Sequence, residues 1–185
     1  LPSGARLERI KTSPNYKNGA FQNLTPTPQL AEGYSMWKVM LRFLFSKPKG
    51  AVPSSPIKTV HTDLHSLDKR VDQLVWLGHS SYYFTLNGQS YLVDPVLSKY
   101  ASPVAGSNKA FKHTYQYTVD DLPAIDFLII THDHFDHLDY ATILGIKSKV
   151  KKVICGLGVG EHFEYWGYDL AKITELDWYE VAHFD

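Results

Sequence analysis

The chain has 185 residues, 44% hydrophobic and 21% charged, a balance that fits one folded domain with a real core and excludes disordered, collagen-like and coiled-coil readings. Lys plus Arg and Asp plus Glu each number 19, so the net charge is zero and the basic footprint of a nucleic-acid binder is missing. The single cysteine, Cys155, excludes an internal disulfide framework, and no run approaches the roughly 18 apolar residues of a membrane-spanning helix. No signal peptide is visible, and the chain starts at Leu1, so an upstream segment is expected to have been removed, which leaves open whether a targeting signal went with it. That leaves a soluble and a peripherally membrane-associated protein both open.

Residues 1–70 read as an arm, a helix and a linker. The first 33 are rich in Pro, Gly, Asn, Ser and Thr, and the proline-bearing stretch 21–28 is expected to lie extended on the surface. Over residues 34–46, Met36, Val39, Met40, Phe43 and Leu44 recur at helical spacing, with Lys38 and Arg42 on another face. Trp37, Leu41 and Phe45 widen the apolar stripe. The expected role is a helix packed on its own core, and the alternative is an interfacial helix touching lipid. Lys47 to Gly50 should stop it, and residues 53–56 form a linker.

From residue 71 the pattern turns to strands at 73–77, 81–86 and 90–93, with Asn87-Gly88 as a strong hairpin signal. Residues 99–123 read as a long polar surface loop. Residues 127–130 and 151–155 are apolar, β-prone runs, and 172–176 is a last strand. Asp139 is placed to cap a helix near Tyr140, and residues 158–166 fit a helix stopped by Gly167. Strands alternating with short helices indicate α/β layering.

Directly after the buried run 127–130 stands Thr131-His132-Asp133-His134-Phe135-Asp136-His137. In an extended segment His132 and His134 point to the same side, so both imidazoles can reach one metal. Asp136 and His137 follow within a turn and can serve a second. Nitrogen and carboxylate donors suit zinc, and also iron or manganese. A ligand-free histidine-rich surface turn is the plain alternative, and four ligand-type residues at this spacing weigh against it. His61 and His65 sit in a polar stretch without a third partner and are expected to be solvated.

The spacing His132-x-His134-x-Asp136-His137 resembles the signature of the metallo-β-lactamase fold. The blocks Trp76-Leu77-Gly78-His79-Ser80, Leu92-Val93-Asp94-Pro95-Val96, His137-Leu138-Asp139-Tyr140 and 175–180, with the opening 3–10 and 21–24, resemble the branch containing N-acylphosphatidylethanolamine-hydrolysing phospholipase D. The resemblance implies an α/β chain forming the N-terminal half of an αββα sandwich, with residues 71–185 as the first half of the domain. It implies two divalent metal ions, zinc foremost, with iron or manganese as alternatives. His132 and His134 match ligands of the first metal, and Asp136 and His137 match ligands of the second. Asp136 is also expected to orient the attacking water. Asp94 matches an aspartate that supports the ligand loop from behind, the alternative being a simple turn residue before Pro95. His79 is expected to line the pocket, with packing as the alternative.

The implied reaction is attack of a metal-bound hydroxide on the phosphorus of a phospholipid or other small phosphodiester, with peripheral membrane contact possible. A related lactonase or other ester hydrolase, and a non-catalytic binding module, are the competing readings. The third histidine of the first metal, the bridging aspartate and the last histidine of the second have no match before residue 185; His183 and Asp185 are too close to the block at 175–180 to be assigned. The chain is therefore expected to be the N-terminal part of a larger protein, completed by a C-terminal half or by self-association.

Overall fold

The computed structural model describes residues 2–46, 49–102 and 109–184. Its N-terminal region is more ordered than proline and glycine content alone implies. Helix α1 spans Gly4–Thr12, and strands β1 (Tyr16–Lys17) and β2 (Ala20–Phe21) pair as a short hairpin. These elements end where the proline-bearing stretch 21–28 begins; that stretch forms no helix, as expected, and the helix and hairpin before it were not anticipated. Local signals for α1 are weak: Ser3 makes no side-chain cap and Gly4 sits at φ +56°. Tertiary contacts supply what propensity does not. Ile10 is buried, and Arg6 pairs with Glu175 at 2.8 Å and with Glu164 at 2.7 Å. Arg9 reaches Glu180 at 2.6 Å and donates to the carbonyl of Glu175.

Helix α2 (Met36–Phe45) forms where its period predicts, with the Ser35 hydroxyl accepting from the Lys38 N–H. It contains no buried residue, so the expected packing on its own core is not found. The expected stop at Lys47 and Pro48 lies outside the described residues. No helix among the described residues is long and apolar enough to cross a membrane.

Strands β3 (Gln73–Gly78), β4 (Ser81–Leu86), β5 (Gln89–Val93), β6 (Ile125–Ile130), β7 (Val150–Gly156) and β8 (Ile173–Leu176) form one mixed sheet in sequential order. β3, β4 and β5 are antiparallel, joined between β4 and β5 by Asn87 and Gly88 at positive φ, as a type I′ hairpin requires. β5 through β8 run parallel, and helices α3 (Tyr140–Ile146) and α4 (Gly160–Tyr165) fill the connections from β6 to β7 and from β7 to β8. The α/β layering expected from the alternation is present.

The two faces of the sheet differ. Val75, Tyr83, Leu92, Leu128, Val153 and Ile173 share one row and pack with Ile143 and Ile146 of α3 and Phe163 of α4. On the opposite face Phe84, Tyr91 and Phe127 stack in register, and Phe184 leans on Phe127. Residues 103–108 of the expected loop 99–123 lie outside the described residues, and the rest is less of a surface loop than expected. Tyr117 and Leu122 are buried in the core, and a 3-10 turn at Val119–Asp121 is closed by reciprocal Thr118 and Asp121 bonds. α4 ends as predicted at Gly167, whose N–H reaches Glu164 O while that of Tyr168 reaches Phe163 O, a Schellman closure.

Candidate metal centre

Parallel β5 and β6 carry their C-terminal ends to the same place, the usual location of a site in such a sheet. β5 runs into Asp94 and β6 into Thr131. Asp94 is 2% exposed at φ +42°. Its carboxylate accepts from the Thr131 N–H at 2.8 Å, from the Thr131 hydroxyl at 2.6 Å and from His137 Nδ1 at 2.9 Å. A simple turn residue before Pro95 would not collect three donors.

The bonding fixes two imidazoles. A carboxylate only accepts, so His137 donates through Nδ1 and keeps its Nε2 lone pair free. The Thr131 hydroxyl spends its proton on Asp94, so its oxygen accepts from His132 Nδ1 at 3.0 Å. His132 too is left with Nε2 as its free donor atom. After His132 the chain turns tightly, with the N–H groups of His137 and Leu138 both bonding to the carbonyl of His134. The turn brings the His132 ring to 3.9 Å from that of His137 and 4.6 Å from that of His134.

His79 enters from the β3–β4 turn, where Gly78 and His79 both take positive φ. Its Nε2 lies 3.1 Å from Asp136 Oδ2. One donor atom from each of His79, Asp136 and His137 falls within 4.8 Å of the other two. The placement is closer than a pocket-lining role required. All six residues singled out from the sequence, His79, Asp94, His132, His134, Asp136 and His137, thus lie at one end of the sheet, the exposed His134 through its ring contact with His132.

Electrostatics suit cation binding. Burial together with neighbouring His137 and His134 pushes His132 below the usual histidine range, toward the neutral form a metal needs. Burial works to raise Asp136, but its own backbone N–H, His137 and His79 outweigh that and hold it below the usual carboxylate range. An open cavity of about 580 Å³ adjoins the loop, walled by Tyr100, Phe135, Tyr140 and Trp166.

Thr131 was not singled out in advance; its position directly after the buried run was its only signal. Asp139 stands at the N-cap position of α3, but its carboxylate accepts from Ser98 and Thr142 rather than from the helix backbone. His61 lies against Tyr115 and His65 bonds the carbonyl of Asp120, both at the surface.

Residues 89–185 match the family described as Beta-lactamase superfamily domain. The chain belongs to that superfamily. An uncharacterized protein of Mycobacterium tuberculosis is 32% identical over 176 residues, covering 94% of this chain and 47% of the relative. The N-acyl-phosphatidylethanolamine-hydrolyzing phospholipase D 1 of Caenorhabditis elegans is 30% identical over 115 residues, 59% of this chain and 32% of that protein. The UPF0173 metal-dependent hydrolase of Caldivirga maquilingensis is 35% identical over 80 residues, 43% of this chain and 30% of its own length. The chain spans about half the length of the curated relatives it matches along nearly all of itself.

Proposed function

We propose that the protein is a metal-dependent hydrolase whose metals are held by His132, His134, Asp136 and His137, with His79 as a further candidate ligand. The observation that carries this reading is the convergence of His79, Asp136 and His137 donor atoms within 4.8 Å, with the Nδ1 atoms of His137 and of neighbouring His132 already engaged. Nitrogen and oxygen donors in this mix fit zinc, with iron and manganese as alternatives. What a pair of divalent ions supplies when bound is acidity for a water molecule and positive charge opposite a developing oxyanion. The chain's own groups do the rest. Asp94 and Thr131 hold the two imidazoles in one tautomer and one orientation. Asp136 accepts a hydrogen bond from a water and aims it at the substrate.

The finer reading is hydrolysis of a phosphodiester in a phospholipid of the N-acylphosphatidylethanolamine type. It is supported by the similarity to the nematode phospholipase D and by the Leu77-Gly78-His79 and Leu176-Asp177-Trp178 blocks. The same donors serve attack on a carbonyl, so a lactone or other ester is the second reading.

The test uses the full-length protein loaded with metal and offered N-acylphosphatidylethanolamine and a lactone in parallel. Phosphatidic acid with N-acylethanolamine is the expected product pair, and opening of the lactone alone would establish the second reading. His134→Ala should abolish turnover and lower metal content without unfolding the domain. Full metal loading with no turnover on any ester would leave a binding module in place of an enzyme.

A further inference from the structure

Helix α2 is built from Met36, Trp37, Val39, Met40, Leu41, Phe43, Leu44 and Phe45, broken only by Lys38 and Arg42, and every one of these apolar side chains is exposed. Trp37 is 64% exposed, Phe43 79% and Phe45 82%. Eight water-facing apolar residues on ten positions far exceed the scattered apolar surface of ordinary proteins and mark an interaction site. At 100° per residue Lys38 and Arg42 fall within one narrow stripe, and Met40 lies opposite them.

Charge identifies the occupant. From Gly33 to Thr62 the chain carries Lys38, Arg42, Lys47, Lys49 and Lys58 and no Asp or Glu, although the whole chain is neutral. A protein groove that received this helix would need acidic groups around a deep apolar trough. An anionic lipid surface offers both at once, hydrocarbon for Trp and Phe and negative headgroups for the flanking cations. Ten residues span about 15 Å, too short to cross a bilayer and long enough to lie in its interface. We propose that α2 is an interfacial anchor that seats the protein on membranes containing anionic phospholipid.

This inference stands on the helix and not on the reaction, so the two fail separately. The full-length protein is floated with vesicles of phosphatidylcholine containing phosphatidylglycerol, and with phosphatidylcholine alone. It should float with the anionic vesicles and be released by salt. Phe43→Glu with Phe45→Glu should cut the bound fraction at least about tenfold while thermal stability and metal content stay unchanged. Lys38→Gln with Arg42→Gln should narrow the preference for anionic vesicles. Trp emission should shift to shorter wavelength on binding, and Trp37→Phe should remove the shift. Failure of the wild type to float, or undiminished floating of the double glutamate variant, overturns the proposal. So does conversion of a dimer to a monomer by that variant, which would assign the face to a second copy. Loss of thermal stability in it would assign the face to the protein's own interior.

Discussion

Asp94 gathers on one buried carboxylate the Thr131 N–H, the Thr131 hydroxyl and His137 Nδ1, and through Thr131 it also reaches His132. One acceptor thereby sets two imidazoles that come from different parts of the ligand loop. Asp94→Asn keeps the shape and tolerates the positive φ, but it removes the charge and presents a donor where two donors already point. Metal affinity measured by isothermal titration should fall about 10–100-fold. Thr131→Val conserves volume and removes the hydroxyl's bonds to Asp94 and His132, but it leaves the backbone N–H bond to Asp94 and the Asp94–His137 bond in place, so its loss should be smaller than that of Asp94→Asn. Unchanged affinity in both variants would show that the network does not orient ligands.

At the level of elements, the start of α4 depends on Glu175 of β8. Glu175 Oε1 accepts from the N–H groups of Gly158 at 2.8 Å and Gly160 at 3.0 Å, while Oε2 takes Arg6 of α1. A side chain from the last strand therefore caps a helix and ties the N-terminal helix to the same point. Gly160 is required by proximity: a Cβ there would meet Glu175 Cδ at 2.7 Å and Oε1 at 2.9 Å. Gly160→Ala should destabilise the domain by about 1–3 kcal/mol in urea unfolding, through overpacking and loss of these bonds. A change within error would mean that Glu175 swings clear without cost.

Across the whole molecule, Asp126 joins parts far apart in sequence. Its buried carboxylate takes the Ser90 N–H at the start of β5, Lys69 from the segment before the sheet and Lys151 from β7. Burial works to raise its pKa, but Lys151, Lys69 and Ser90 outweigh it and hold the group well below the usual carboxylate range. A folded-state pKa below the unfolded value of about 3.9 means stability that is present above that value and lost as pH falls through the folded one. Lys69 is partly and Lys151 largely exposed, so solvent screening trims the contribution. Asp126→Asn should lower stability at neutral pH, and its deficit should shrink as pH drops below about 4. A deficit that stays constant from pH 7 to acid would show that the carboxylate's charge is not what the network uses.

The strands from β3 to β8, the hairpin at Asn87-Gly88 and the close of α4 at Gly167 were legible because each rests on a short-range rule: alternation, an apolar run, or a backbone that must take positive φ. The His132 to His137 segment was legible for the same reason, since its spacing lies within a single turn of chain. Other features depend on residues that only folding brings together. α1 exists because Glu164, Glu175 and Glu180, more than 150 positions away, answer Arg6 and Arg9. His79 meets Asp136 because β4 and β5 return the chain to the end of β6. α2 shows the converse: its period determined that it is a helix, while its burial depended on a partner surface, and among the described residues none covers it. Local chemistry determines which element forms; which side chains meet, and which face stays open, is decided by contacts across the fold.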